Sequence, residues 1–85
     1  MPTISMFYGI IIRMYNDEHL PPHFHAIYSG GYALFNFEGE IIKGELPKKQ
    51  TRLIQAWTEI HREELEANWK LIEDGEQLIK IDPLK

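Results

Sequence analysis

The alternation of apolar and polar positions divides the chain into a strand-rich first half and a helical second half. Phe7-Tyr8-Gly9-Ile10-Ile11-Ile12-Arg13-Met14-Tyr15 is rich in β-branched and aromatic residues and too short for a lone helix. Both of its faces are largely apolar, which predicts one central, covered strand. Asn16-Asp17-Glu18-His19-Leu20-Pro21-Pro22 breaks it and forms a loop. Ser29-Gly30-Gly31-Tyr32 reads as a hairpin with a two-residue Gly-Gly turn, because primed turns need positive φ at both central residues. That turn sets a register in which Ser29 pairs with Tyr32, Ala26 with Phe35, His25 with Asn36, Phe24 with Phe37 and His23 with Glu38. Phe24, Ala26, Tyr28, Ala33, Phe35 and Phe37 then share one face, a core face. His23, His25, Ile27, Leu34, Asn36 and Glu38 share the other. A second turn at Glu38-Gly39 leads into a strand over residues 41–46.

Pro47 suits the first turn of a helix. From residue 48 to about 74, Leu53, Ile54, Trp57, Ile60, Leu65, Trp69 and Ile72 recur at spacings of three to five, with His61 on the same stripe. The pattern predicts one long helix crossing the sheet, stopped at Asp74-Gly75. Residues 77–85 could add a short edge strand. The expected fold is α+β: an antiparallel sheet of three to four strands packed against one long C-terminal helix.

The 85 residues make a single domain, residues 1–85, with modest stability. Without cysteine there is no disulfide framework and no thiolate metal site. No basic, then apolar, leader opens the chain, and its longest apolar run is far short of a membrane span. A soluble cytoplasmic protein that makes no membrane contact is the expectation. A net charge of −4 argues against a general nucleic-acid binder, although Lys43, Lys48, Lys49 and Arg52 form a local basic cluster. Lys48, Lys49 and Arg52 open a helix, where the macrodipole disfavours cations, which hints at an anionic partner; a merely solvated face is the alternative.

The candidate chemistry centres on Pro21-Pro22-His23-Phe24-His25. In an extended chain both imidazoles point to one side and Phe24 to the other. Histidine suits acid–base work and metal binding alike. A catalytic zinc needs three protein ligands, and spacing places only two here, so neither metal nor cofactor is expected. The alternative is that the imidazoles cap loop carbonyls or pack at the strand start. Arg13, in an apolar strand, is either half of an internal ion pair with a helix glutamate or Asp17, or an anion clamp beside the histidines. His61, Trp57 and Trp69 read as core or core-edge residues.

The opening Met1-Pro2-Thr3-Ile4-Ser5-Met6-Phe7-Tyr8-Gly9-Ile10-Ile11-Ile12-Arg13-Met14-Tyr15, then Pro21-Pro22-His23-Phe24-His25-Ala26, Gly44-Glu45-Leu46-Pro47 and the tryptophan-bearing helix together resemble a bacterial and archaeal family, domain of unknown function 4160. The resemblance covers nearly the whole chain. It implies one component of a small two-gene, toxin–antitoxin-like module whose partner is an antitoxin-like small protein encoded beside it. It carries over no catalytic residues.

Two functions follow. In one, the chain acts on RNA or a translation component. His23 or His25 serves as acid–base, and Arg13, Lys43, Lys48, Lys49 and Arg52 meet phosphate. Cleavage of RNA without metal needs a base, an acid and a cation, and these residue types supply all three. In the other, the chain is a non-enzymatic interaction module whose histidines are structural. Under the first, His23, His25 and Arg13 should line one solvent-open cleft; under the second, each should be satisfied and buried, or scattered. A homodimer is compatible with either.

Overall fold

The computed structural model describes residues 3–15 and 20–85. It is an α+β fold, with a five-stranded antiparallel sheet in the order β1-β2-β3-β4-β5. The strands are β1 (Thr3–Phe7), β2 (Ile10–Arg13), β3 (His23–Tyr28), β4 (Gly31–Asn36) and β5 (Ile41–Glu45). The helices α1 (Lys48–Ile60) and α2 (Arg62–Glu73) follow.

The expected single strand over residues 7–15 is instead interrupted by a hairpin turn. Tyr8 (φ 50°) and Gly9 (φ 78°) both take the left-handed conformation, so Phe7 pairs with Ile10 and the apolar run folds back on residues 3–7. This adds a strand to the sheet, giving five where three or four were expected. β2 is also not covered on both sides: Ile10, Ile12 and Met14 are buried, whereas Ile11 and Arg13 face outward and are half-buried.

The β3–β4 turn is Ser29-Gly30, not Gly30-Gly31. Ser29 (φ 47°) and Gly30 (φ 81°) supply the two positive φ values, and Tyr28 pairs with Gly31. The register therefore slips by two residues from the expected one: Phe24 pairs with Phe35, His25 with Leu34 and His23 with Asn36. A slip of two preserves the faces, because side chains alternate with period two. Phe24, Ala26, Ala33, Phe35 and Phe37 are all in the core as expected, and the Phe24 and Phe35 rings stack at 5.5 Å. The turn after β4 is built by Asn36, whose Oδ1 accepts the backbone N–H groups of Glu38 and Glu40, each at 2.9 Å.

The expected single helix is a kinked pair. Hydrogen bonds run through the junction, from His61 N–H to the Trp57 carbonyl and from Leu65 N–H to the His61 carbonyl. His61 itself departs from helical geometry (φ −110°, ψ 23°). Glu63 and Glu64 in the first turn of α2 favour a fresh helix start, and Glu64 accepts a hydrogen bond from His61 Nδ1 at 2.5 Å. Ile54, Trp57, Leu65, Trp69 and Ile72 are buried, but Ile60, expected on the same stripe, is 65% exposed.

Both helices lie on one face of the sheet. Trp57 packs on Phe7 and Phe24, and Trp69 on Phe37. The tail adds no strand. It is tied down by backbone groups of three residues: Ile81 N–H donates to Ile4 O, Asp82 O accepts from Trp57 Nε1, and Ile79 exchanges two hydrogen bonds with the buried Asn68 amide. Ile81 is buried in the core as a result.

Candidate functional site

β3 is the middle strand of the sheet. It places His23 and His25 on the face opposite Phe24, the face that no described helix covers. Cross-strand pairing organises this open face into rows, since paired residues share a side. One row runs Thr3, Arg13, His25, Leu34, Lys43 across all five strands. The next runs Met6, Ile11, Ile27, Tyr32, Glu45. The second row is apolar over four strands. Ile11, Ile27 and Leu34 are half-buried, while Met6 and Tyr32 are exposed.

The histidines are brought together but held differently. Their ring centroids lie 5.4 Å apart. His23 is only 8% exposed; its Nδ1–H donates to the Pro21 carbonyl at 2.7 Å, and its ring lies 5.5 Å from that of Trp69. A carbonyl can only accept, so the proton is on Nδ1. His25 is half-buried, hydrogen-bonded through Nδ1 to the Tyr32 hydroxyl at 2.7 Å, with the Tyr15 ring edge-on at 4.6 Å. At least one of the pair is thus accessible, on the expected face.

Arg13 pairs directly with His25 in the β2–β3 ladder. Among the described residues its buried Nε has no hydrogen-bond partner and its guanidinium makes no ion pair. The expected ion pair with a helix glutamate is therefore not formed, and the alternative partner, Asp17, lies outside the described residues, as do Glu18 and His19.

Lys43 ends the Arg13–His25 row, exposed on β5. Lys48, Lys49 and Arg52 are exposed on the first turns of α1, a helix packed on the opposite face. The fold therefore places these three on the side of the sheet away from the histidines, and of the basic cluster only Lys43 lies in the histidine row. Among the described residues no group of three His, Cys, Asp or Glu side chains could hold a metal ion.

Around the corner from the open face lies a concavity, where Pro21, Pro22, Asn36, Phe37, Glu38, Ile42, Arg62, Glu66 and Trp69 enclose about 270 Å³. His23 stands between the two, since it bonds to Pro21 and packs on Trp69 while facing His25. At the rim, Arg62 reaches Glu38 at 2.6 Å and Glu66 at 3.2 Å. The hydrogen bond to Glu66, with Glu38 adding to it, holds the Arg62 guanidinium above its usual range. Sequence reasoning missed Tyr15 and Tyr32, which flank His25, and the cleft altogether; its residues come from three distant segments and share no local pattern.

The sequence profile of the family described as domain of unknown function (DUF4160) matches residues 9–70, and the chain belongs to that family. The match takes in every strand but β1, all of α1 and most of α2, including the histidine pair, Arg13 and the cleft. No curated protein and no solved structure matches the chain.

Proposed function

We propose that this member of the DUF4160 family is a non-enzymatic protein-interaction module. It is one component of a cytoplasmic, toxin–antitoxin-like two-gene pair and docks the product of the neighbouring gene on the open face of its sheet. The observation that carries the reading is the row Met6, Ile11, Ile27, Tyr32, continued by Leu34 in the adjoining row: a contiguous apolar band across a sheet face that no described helix covers. Bands of this kind on small proteins mark partner surfaces.

The state of the histidines supports the same reading. An acid–base pair needs its nitrogens directed at substrate in an open cleft. His23 instead spends one ring nitrogen on its own backbone and its ring surface on Trp69. Its role is to lock Pro21-Pro22 against the start of β3. Its neighbour His25 orders Tyr32 and Tyr15 at the edge of the band.

The test is co-expression with the neighbouring gene. The wild type should co-purify with its product in fixed stoichiometry. Ile27→Glu and Leu34→Glu, which touch only the open face, should abolish that association and keep the fold. Retained association in both variants overturns the reading.

A second reading rests on one observation. Arg13, His25 and Lys43 stand in a single row, flanked by the Tyr15 and Tyr32 rings, and cations beside aromatic rings on an open sheet suit single-stranded RNA. Binding of an oligoribonucleotide that is lost in Arg13→Gln and weakens with added salt is the result that would favour it.

A further inference from the structure

Arg13 is energetically out of place in the chain by itself. It ends β2, between Thr3 on β1 and His25 on β3, on the same face as Ile11. The side chain is half-buried and its Nε is sealed from solvent, yet among the described residues nothing accepts a hydrogen bond from Nε and no carboxylate pairs with the guanidinium. A cation drawn partly out of water without a counter-charge costs stability. The outer guanidinium nitrogens are not sealed, so a group arriving on the open face can reach them.

Fixed charge is sparse around it. Along the two rows of the open face it consists of Arg13, Lys43 and Glu45. Lys43 and Glu45 stand together on β5, in adjoining rows. Arg13 lies three strands away, about 14 Å at the usual strand spacing. Its row neighbours Thr3 and His25, and Ile11 on its own strand, bring no carboxylate to it. Beyond His25 the surface continues as the aliphatic side chains of Ile27 and Leu34. A side chain that costs the isolated chain stability without a gain inside it points to a role outside it.

We propose that the partner docking on the open face brings the carboxylate of an aspartate or glutamate, set within an apolar segment, onto the Arg13 guanidinium. This rests on the docking reading of that face and names the chemistry of what docks there. The two outer nitrogens of a guanidinium present parallel N–H groups that match the two oxygens of a carboxylate. The apolar flanks of the segment then cover Ile11, Ile27 and Leu34, and exclusion of water strengthens the ion pair. A wholly apolar partner would bury the guanidinium unpaired, and a basic one would repel it. A phosphodiester chain fits less well. It is held through a run of cations, whereas these rows offer two, far apart, on a chain of net charge −4.

The test pairs two measurements on Arg13→Met, which keeps an aliphatic stem and drops the charge. In thermal melts of the isolated chain its Tm should equal that of the wild type or exceed it. In calorimetric titration with the separately purified product of the neighbouring gene, it should bind roughly tenfold or more weakly. Arg13→Gln should repeat both results, and Arg13→Lys, with the charge but not the fork, should bind with intermediate strength. Arg13→Glu should abolish binding, and replacing one of the partner's acidic residues by arginine, each tried in turn, should restore it. Wild-type affinity in Arg13→Met, with Ile27→Glu still abolishing association, overturns the inference and leaves the docking reading standing. No binding by the wild type strikes the docking reading and takes the inference with it. A fall in Tm in both neutral variants shows an arginine satisfied within the chain and overturns it, as does failure of every acidic-to-arginine change in the partner to rescue Arg13→Glu. An oligoribonucleotide held by the wild type and lost in Arg13→Met, with partner affinity unchanged, assigns Arg13 to phosphate and overturns it too.

Discussion

Replacing His23 by alanine separates a structural histidine from a catalytic one by magnitude. The side chain is 92% buried, its Nδ1–H donates to the Pro21 carbonyl at 2.7 Å, and its ring packs 5.5 Å from that of Trp69. Truncation removes the donor while leaving the carbonyl in place, which costs about 1 kcal/mol at the low end of such changes, because Pro21 is itself exposed and water can reach it. Loss of the ring contact adds about 0.5–1.5 kcal/mol, and the hollow left beside Trp69 adds to that. The total is about 2–3 kcal/mol. For a domain of this size that corresponds to a fall in Tm of roughly 10–20 °C. Thermal and urea unfolding followed by far-UV circular dichroism measure it, with unchanged m expected. His23→Asn keeps an N–H donor near the carbonyl and should recover part of the loss. A change in stability within about 0.5 kcal/mol of the wild type, as for an ordinary surface position, would refute the reasoning and return His23 to the list of groups held ready for chemistry.

Other expectations follow from the same geometry. His25→Ala should cost less, about 0.5–1 kcal/mol by denaturant titration, because its partner Tyr32 is exposed and its hydroxyl can turn to water. Gly44→Ala should destabilise by about 2 kcal/mol or more, since Gly44 sits at φ 79° and an added Cβ would lie 2.3 Å from the Tyr32 carbonyl oxygen; a neutral melt would count against the β4–β5 geometry. Asn68→Ala should cost about 2–3 kcal/mol and speed amide exchange at residues 79–82, because one buried amide holds both the N–H and the carbonyl of Ile79. Protected exchange there in the variant would show that the tail is held by other contacts.

How much of this was readable from the chain follows from which features tolerate error. The buried aromatic set of β3 and β4 was legible because membership of a face depends only on parity. The turn lies one residue before the Gly-Gly pair and the register slips by two, yet Phe24, Phe35 and Phe37 keep their side. The turn itself was not legible. Gly-Gly is the obvious pair for two positive φ values, and the fold uses Ser29 for the first of them. The same effect hid β1, since Tyr8 also takes a left-handed conformation in what reads as one unbroken apolar run. The helix kink at His61 was masked because the residue keeps the four-residue spacing of the stripe. Period placed the histidine pair correctly, opposite Phe24. It could not tell a bonded, buried His23 from an open one, because that depends on Trp69, 46 positions away in the chain. Nor could nearness in sequence show that Lys43 ends on one side of the sheet while Lys48, Lys49 and Arg52 begin a helix on the other.

The central claim, that the open face of the sheet docks a partner protein, is tested most directly by hydrogen exchange. The chain is measured alone and co-purified with the product of the neighbouring gene. Strong added protection at β2, β3 and β4, centred on Ile11, Ile27 and Leu34 and absent from the exposed side of α1, is the predicted footprint. A stable complex whose protection falls on α1, α2 or the tail, with those three strands unchanged, would contradict it.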